Sequence, residues 1–318
     1  MRECDSHWNG RQVLVTGGCG FIGTHLCRRL TAAGARVRIL DDLSTGRRPA
    51  DQASLIESSI TDRGDVLRAA RDCDTVFHLA AMVSVPACEA EPERCHETNV
   101  TGTDIVVQAA ARARATLVFA SSCAVYGPSC RVPCCETDHP APGTRYASSK
   151  LAGEAIILSA VARGDLEATP LRFFNVFGPG QRTDVAYAAV VSLFSEAASM
   201  GTAITLDGDG TQTRDFVPVP LAVDALCRAA VKPAGEPVNV GTGCETSLLQ
   251  LIAAIEAATG GQPLERHYGP PRPGDITRSV ADTDMLTRRY GLPGAYASKA
   301  AMEQTLADLL KQPGPQCS

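Results

Sequence analysis

Short apolar runs alternate with longer amphipathic stretches through the first half of this 318-residue chain. The runs QVLVTG (12–17), RVRILDD (36–42), CDTVFHLAA (73–81), TLVFASS (116–122) and ATPLRFF (168–174) predict buried strands, whereas residues 21–34, 99–115 and 146–164 have helical spacing. Strands that alternate with helices favour a mostly parallel sheet covered on both faces. The sequence therefore predicts an α/β fold with a Rossmann-type doubly wound parallel sheet.

A glycine-rich turn, VTGGCGFIG (15–23), joins the first predicted strand to the first predicted helix. Gly18-x-Gly20-x-x-Gly23, and the variant beginning at Gly17, satisfy the dinucleotide-binding fingerprint, in which a pyrophosphate approaches the backbone at a helix N-terminus. Asp41 follows Gly17 by 24 residues, where its carboxylate can accept hydrogen bonds from ribose hydroxyls. Because an acidic side chain there repels the extra phosphate of NADP, the sequence predicts NAD.

Composition changes after about residue 178, where glycine, proline and short segments become frequent. We predict a large NAD-binding Rossmann domain over residues 1–178, to which 236–260 (a strand and a helix) returns. Residues 179–235 and 261–318 are predicted to form a smaller C-terminal α/β substrate domain.

Charge and cysteine content bear on partners and on location. The net charge is −5 and the 30 basic residues form no dense run, which argues against nucleic-acid binding. The thirteen cysteines are odd in number and follow a polar N-terminus, so we expect reduced thiols in a cytoplasmic protein. Neither Cys130, Cys134 and Cys135 nor Cys95 beside His96 gives a paired C-x-x-C zinc spacing, and no apolar run is long enough to span a bilayer. No metal and no membrane contact are predicted.

Tyr146-x-x-x-Lys150 places a phenol and an ammonium on one face of a predicted helix. A phenol ionises near pH ~10, and both a nearby ammonium and a positively charged nicotinamide favour the phenolate and lower that pKa. Ser122, at the end of a predicted strand, could then share a hydrogen bond with a substrate hydroxyl. These residues alone also fit a solvent-facing helix pair and a strand-end serine bonded to backbone.

The motifs VTGGCGFIG, LDDLSTG, HLAA, NVTGT, SSCAVYG, YASSK, RFFNVFGPGQ, GDGTQTRDF, NVGTG and RPGDI follow one another between about residues 12 and 285. In this order they resemble the extended short-chain dehydrogenase/reductases of the NAD-dependent epimerase/dehydratase family. The resemblance is closest to nucleotide-sugar epimerases of the UDP-glucose 4-epimerase type.

The resemblance implies a catalytic trio of Ser122, Tyr146 and Lys150. It implies that NAD is held by Gly17, Gly20, Phe21, Ile22, Gly23, Asp41, Asp42, Ser44, Ser59, Ile60, Leu79, Ala80, Ala81, Asn99, Tyr146, Lys150 and Phe174. It implies that a nucleotide sugar contacts Ser84, Ser122, Tyr146, Asn175, Val190, Arg214, Arg272 and Ser279. Two arginines suit a diphosphate, because the guanidinium fork matches phosphate oxygens.

The residues between Ser122 and the VYG motif indicate which reaction the family fold runs here. Related dehydratases and decarboxylases carry a carboxylate in this segment, whereas this chain has Cys123 and Ala124. The chemistry left is oxidation at C4 and return of the same hydride to the opposite face, which is a 4-epimerization. Ser279 is small where the family often has a bulky residue, so UDP-GlcNAc/UDP-GalNAc is expected beside UDP-glucose/UDP-galactose.

Other functions stay open from the sequence. Another nucleotide-sugar-modifying enzyme (a uronic acid epimerase, a dehydratase or a reductase) fits the same motifs. A non-catalytic NAD-sensing protein and a reductase of a non-nucleotide ketone are the alternatives outside that group. Cys123 is interpreted as a small packing residue, with thiol chemistry as the second interpretation. The resemblance also suggests a homodimer formed through the predicted helices 99–115 and 146–163.

Overall fold

The computed structural model describes residues 5–48, 54–128, 130–182, 190–261, 263–271 and 276–311. The chain divides into two compact units. The first unit comprises Met1–Gly127, His139–Phe173 and Ala222–Val238, and the second comprises Pro128–Asp138, Phe174–Leu221 and Asn239–Ser318. Each unit is therefore assembled from segments that are distant in sequence.

Strands and helices alternate along the first half of the chain. The strands are β1 (Gln12–Thr16), β2 (Arg36–Asp41), β3 (Ser54–Glu57), β4 (Thr75–His78), β5 (Thr116–Ser122), β6 (Ala168–Phe173), β7 (Asn175–Phe177), β8 (Ile204–Asp207), β9 (Thr213–Arg214), β10 (Phe216–Pro218), β11 (Val238–Val240), β12 (Thr246–Ser247), β13 (Arg266–Gly269) and β14 (Arg278–Ser279). The α-helices are α1 (Phe21–Ala32), α2 (Arg63–Ala70), α3 (Val85–Ala90), α4 (Pro92–His96), α5 (Gly102–Ala113), α6 (Arg145–Ala162), α7 (Val190–Met200), α8 (Val219–Val231), α9 (Leu248–Ala258), α10 (Asp284–Tyr290) and α11 (Lys299–Leu310).

A seven-stranded sheet of order β11-β6-β5-β4-β1-β2-β3 organises the first unit. Every neighbouring pair from β6 to β3 is parallel. The strands are apolar and buried, as in Val13–Leu14–Val15, because helices cover both faces of a parallel sheet. This order confirms the predicted doubly wound fold, and its direction of winding reverses between β1 and β4, at whose carboxyl ends such sheets bind ligands.

Close packing of α6 against the sheet fixes the position of that helix. Leu117 and Ile157 are fully buried in one core cluster shared by β5 and α6, and burial of such a side chain contributes about 1.5–3 kcal/mol. Gly153 lets the two elements approach closely, since a Cβ there would lie 2.9 Å from the Phe119 ring. The Thr144 hydroxyl caps α6 by accepting a hydrogen bond from the backbone N–H of Ala147 (3.2 Å).

Three small sheets and several helices form the second unit. The sheets pair β10 with β7, order β12-β9-β14, and pair β13 with β8. Helices α7, α9 and α11 share a core cluster that includes Phe194, Leu251, Ile255 and Leu306. Ser247 and Gln250 form a capping box that begins α9.

The boundaries of the two units differ from those of the predicted domains. Residues 222–238 lie in the first unit, where Asp224 of α8 accepts a 2.6 Å hydrogen bond from Arg29 of α1. Strand β11 joins the seven-stranded sheet, but α9 lies in the second unit because its apolar face belongs to that core. Only the strand of the 236–260 segment returns to the main sheet.

Two cysteines differ from the expectation of reduced thiols. Cys88 of α3 and Cys95 of α4 form a disulfide, because the two short helices bring their Cα atoms to 5.1 Å. Nine other cysteines within the described ranges are free, and the described His, Cys, Asp and Glu side chains form no group suited to a metal ion. No helix in the part of the chain that is described is long and apolar enough to cross a membrane.

Candidate active site

The glycine-rich turn between β1 and α1 is tightly enclosed by backbone. Gly17 has φ +70°, and a Cβ on it would lie 2.6 Å from the Ala80 nitrogen. A Cβ on Gly23 would overlap the Gly17 carbonyl oxygen. Helix α1 starts at Phe21 after Gly20, and no side chain caps it. These features leave a helix N-terminus open to a phosphate group, so the turn fits a dinucleotide pyrophosphate.

Asp41 ends β2 beside this turn and is 7% exposed. One carboxylate oxygen accepts a hydrogen bond from the Cys19 N–H (2.9 Å) and the other from the Leu43 N–H (2.9 Å). Burial raises the pKa of Asp41, although these two backbone donors oppose the shift. The carboxylate is thus fixed next to the glycine turn, in the position that suits a ribose.

The other residues predicted to contact the cofactor lie around this turn or close to strand ends of the same unit. The Ser44 hydroxyl donates to Asp42 (2.6 Å), and Ser59 shares a hydrogen bond with Thr61 (2.8 Å). Phe21 and Ile22 are half-buried in the first turn of α1, and Leu79, Ala80 and Ala81 follow β4. The Ile60 side chain differs, because it is 3% exposed and packs in the core cluster.

Ser122, Tyr146 and Lys150 are brought together by β5 and α6. Ser122 is the last residue of β5, and its hydroxyl hydrogen-bonds to the Tyr146 phenol. Lys150 lies one turn further along α6, with its Nζ 6.0 Å from the centroid of the Tyr146 ring. That Nζ donates a 2.8 Å hydrogen bond to the Ala120 carbonyl oxygen. The predicted trio is therefore a spatial cluster at the carboxyl end of β5.

Burial sets the ionisation of this cluster. It raises the pKa of Tyr146 to about 12, although the Ser122 hydrogen bond opposes the shift. It lowers the pKa of Lys150 to about 7, against the charge of Glu154. In the protein alone the net shift of the Tyr146 pKa is thus upward, because desolvation of the phenolate outweighs the favourable interactions.

Asn99 links two segments that border the trio. It lies in a π-helical turn, Glu97–Thr101, that precedes α5. Its Oδ1 accepts from the Met82 N–H (2.7 Å), and its Nδ2 donates to the Met82 carbonyl oxygen (2.9 Å) and to Ser149 Oγ (2.9 Å). Asn99 therefore holds the loop after β4 against α6. In that loop, the Ser84 hydroxyl caps α3 by accepting from the Ala87 N–H (3.1 Å).

The second unit gathers three predicted substrate residues on neighbouring strands. Arg214 on β9 is the register partner of Ser279 on β14, and Asn175 N–H, at the start of β7, donates to the Asp215 carbonyl oxygen (3.0 Å). Arg214 Nη1 donates to the carbonyl oxygens of Thr213 (2.8 Å) and Ile276 (2.5 Å). The Asn175 side chain is exposed, whereas Ser279 is 6% exposed.

The remaining predicted contacts are Phe174, Val190 and Arg272. Phe174 is 4% exposed, and its N–H donates to the Val240 carbonyl oxygen (3.1 Å). Val190 is the first residue of α7 and packs partly against the core of the second unit. Arg272 lies outside the described residues.

Asp215 is a buried carboxylate that the sequence analysis did not single out. It accepts hydrogen bonds from the Thr242 N–H (2.8 Å) and hydroxyl (2.6 Å), the Gly243 N–H (2.9 Å) and the Ala281 N–H (3.2 Å). Burial raises its pKa, and these donors oppose that shift. Asp215 thus joins the NVGTG loop to the segments that carry Arg214 and Ser279. Asp215 belongs to the family motif GDGTQTRDF, and this was the sequence signal that could have identified it.

Comparison with known proteins agrees with this geometry. Residues 13–241 match the family model described as "NAD dependent epimerase/dehydratase family". The chain is 38% identical over 307 residues to a UDP-glucose 4-epimerase of Mycolicibacterium smegmatis, covering 93% of this chain and 97% of that protein. It is 32% identical over 292 residues to a UDP-N-acetyl-alpha-D-glucosaminuronate decarboxylase of Bacillus cytotoxicus, covering 84% and 90%.

A solved structure shows the same architecture. The UDP-N-acetylglucosamine 4-epimerase from Methanobrevibacter ruminantium M1, in complex with UDP-N-acetylmuramic acid, superimposes with a TM-score of 0.90 at 32% identity, covering 95% of this chain and 98% of that chain. The fold and the site thus define a nucleotide-sugar-modifying enzyme of the extended short-chain dehydrogenase/reductase type. The chain belongs to the NAD-dependent epimerase/dehydratase family, and NAD is the cofactor that the sequence predicted.

Proposed function

We propose that this protein is an NAD-dependent 4-epimerase of a UDP-hexose. The observation that carries the proposal is the cluster of Ser122, Tyr146 and Lys150 at the end of β5, in a segment whose next residues are Cys123 and Ala124. Such a site can move a proton on and off a sugar hydroxyl, but it offers no carboxylate there for a second proton transfer.

The residues of the trio have distinct tasks in this proposal. Tyr146 takes the proton from the sugar 4-hydroxyl and later returns it, while Ser122 holds that hydroxyl in a shared hydrogen bond. The Lys150 ammonium favours the phenolate form of Tyr146. When bound, NAD supplies the hydride acceptor and the positive ring charge that makes the phenolate more accessible.

One relative of the chain is a decarboxylase, so decarboxylation is the main competing reaction. The surroundings of β5 argue against it. Cys123 and Ala124 form the start of a 3₁₀ helix, Cys123–Tyr126, and the N–H of Ala124 donates to Ser122 Oγ (3.2 Å). The Glu154 carboxylate accepts hydrogen bonds from Ser121 in β5 and from Arg172. A carboxylate held in this way is not free to act as a base on a sugar.

The second unit supports a nucleotide diphosphate as the anchored part of the substrate. Arg214 offers a guanidinium, Asn175 an exposed amide, and Arg272 a further cation in the family motif RPGD. Ser279 contributes a small side chain, which favours acceptance of an N-acetyl group at C2. We therefore propose UDP-glucose/UDP-galactose and UDP-GlcNAc/UDP-GalNAc as the pairs to test.

We also propose that the enzyme is a homodimer formed through the segments 99–115 and 146–163. Ala155 and Ala162 on α6 are exposed and small, so a second copy of the helix could approach closely. Light scattering on the purified protein tests the proposal. Ala155→Arg is expected to give a monomer, whereas a mass of one chain for the wild type would refute the dimer.

Proton NMR tests the proposed reaction directly. The protein is incubated with UDP-glucose, UDP-GlcNAc or UDP-glucuronate, first alone and then with added NAD⁺. We expect the galacto isomer of at least one neutral sugar. Tyr146→Phe should lose 10²-fold or more of the rate, the usual range for general acid–base groups, and the matched Tyr268→Phe on exposed Tyr268 should keep it. Loss of the carboxylate from UDP-glucuronate, with neither hexose converted, would show a decarboxylase instead.

A further inference from the structure

A buried carboxylate lies one helical turn beyond Lys150 on α6. Glu154 is 1% exposed. Arg172 of β6 donates from Nε to its Oε1 (2.9 Å) and from Nη2 to its Oε2 (2.7 Å), while Ser121 of β5 donates its hydroxyl to Oε1 (2.5 Å). These three residues, here called the Glu154 cluster, join α6, β5 and β6 at the residue of β5 that precedes Ser122.

Lys150 and Glu154 form hydrogen bonds with consecutive residues of β5. The Lys150 Nζ donates to the Ala120 carbonyl oxygen, and the next residue, Ser121, donates to Glu154. Residues four apart on a helix are neighbours on its surface, and the Glu154 charge acts on Lys150.

The groups that face Lys150 differ in charge. Its Nζ lies 4.9 Å from the centroid of the Phe119 ring, which is apolar. His78 of β4 is buried, and burial together with the Lys150 charge lowers the pKa of His78 to about 3, so it is neutral. Tyr146 is a neutral phenol in the protein alone. Among the described groups that act on Lys150, Glu154 is therefore the one that carries negative charge.

We propose that Glu154 is a positioning residue that keeps the buried Lys150 protonated, and that Arg172 and Ser121 hold its carboxylate in place for this purpose. Burial favours the neutral amine, whereas an adjacent carboxylate favours the ammonium. The catalytic consequence rests on the proposed function, since a neutral Lys150 would no longer favour the phenolate of Tyr146. The charge state of Lys150 does not depend on the reaction.

Arg172 gives the cluster its orientation. Its two hydrogen bonds to Glu154 are bidentate, and its guanidinium carbon lies 4.9 Å from the centroid of the Tyr126 ring in the VYG motif. A bidentate pair fixes direction as well as charge. Both side chains are nearly inaccessible to solvent, so water does not screen the carboxylate from its neighbours.

Lysine NMR tests the inference without any substrate. The chain has four lysines, so ¹³C labelling of the lysine side chains gives a spectrum in which Lys150→Met identifies the Lys150 signal. In the wild type this signal should titrate near the pKa of about 7. In Glu154→Gln it should titrate about one unit lower or more, the range for loss of an adjacent opposite charge. Ser121→Ala removes one hydrogen bond to Glu154 but no charge, so it should lower the titration of Lys150 by less than Glu154→Gln does.

A second variant keeps the test decisive if Glu154→Gln does not fold. Glu154→Met combined with Arg172→Met replaces the buried pair by apolar side chains, a change that is often neutral for stability. The Lys150 signal should again titrate at lower pH, but by less than in Glu154→Gln, because loss of the Arg172 cation offsets part of the loss of the carboxylate. An unchanged titration in whichever variant folds would overturn the proposal, even if epimerization were lost. If the titration shifts as expected but the wild-type protein converts no UDP-hexose, the proposed function is refuted and the role of Glu154 stays intact.

Discussion

His78 at the end of β4 makes a directional set of hydrogen bonds inside the first unit. The Thr103 hydroxyl donates to the Asn99 carbonyl oxygen (2.6 Å), so it accepts from His78 Nε2 (3.0 Å). His78 Nδ1 then accepts from the Thr16 hydroxyl (2.8 Å). The neutral ring with its proton on Nε2 satisfies this arrangement, whereas a protonated ring would require the Thr16 hydroxyl to rotate and accept instead of donating.

The stability of the first unit should therefore fall in mild acid. Burial, followed by the Lys150 charge, lowers the pKa of His78 from 6.5 to about 3. Between these values the unfolded chain binds a proton that the folded chain does not, so the free energy of unfolding decreases as the pH falls. Each pH unit in this window costs about 1.4 kcal/mol, which gives about 2 kcal/mol at pH 5. Above about pH 6.5 the effect is absent.

The effect can be isolated with His78→Asn, which can still accept from Thr16 but does not titrate. The free energy of unfolding in urea is measured at pH 7 and pH 5 by the fluorescence of Trp8, the one tryptophan, which contacts Phe77 at 5.8 Å between ring centroids. The loss between the two pH values should be about 2 kcal/mol smaller in His78→Asn than in the wild type. The matched variant His267→Asn, at an exposed position, should behave as the wild type. An equal loss in wild type and His78→Asn would refute the reasoning.

Two further substitutions test the glycine turn and the second unit. Gly17→Ala and Gly10→Ala both place alanine at positive φ, which costs about 1–2 kcal/mol, but only the Cβ at Gly17 meets backbone. Gly17→Ala should therefore show the larger loss of stability and also weaken NAD binding by calorimetry, and equal effects at both positions would contradict the contact. Asp215→Asn replaces an acceptor of four hydrogen bonds by a group that also donates, so it should lower the free energy of unfolding by about 3 kcal/mol. The control Asp209→Asn, on the surface, should change the free energy of unfolding by less than about 0.5 kcal/mol. Both variants are measured by urea titration followed by circular dichroism. Equal losses in the two variants would refute the role of Asp215.

Local pattern determined much of the fold. The apolar run 116–122 became β5 over the same residues, and the helical pattern of 146–164 became α6 over Arg145–Ala162. The glycine fingerprint predicted the tight turn, since the positive φ of Gly17 and the close approach at Gly23 exclude side chains. Hydrophobic periodicity and local backbone conformation depend on residues that are close in sequence, so the sequence predicts them directly.

Tertiary structure decided what surrounds the predicted residues. The trio of Ser122, Tyr146 and Lys150 was named from motifs, but its pKa values depend on burial, which reversed the expected shift of Tyr146. The assignment of α9 to the second unit was missed because helical spacing does not identify the core that the helix joins.

The buried polar network is the clearest case of information that the sequence pattern does not carry. Ser121 and Arg172 lie 33 and 18 residues from Glu154, yet all three meet at one carboxylate. Each has an ordinary place in its own strand or helix, so no local signal marks it. The sequence by itself determined the sheet and the glycine turn, and it predicted the trio of Ser122, Tyr146 and Lys150. Only the folded chain set their charges, because desolvation and long-range ion pairing arise when distant segments exclude water together.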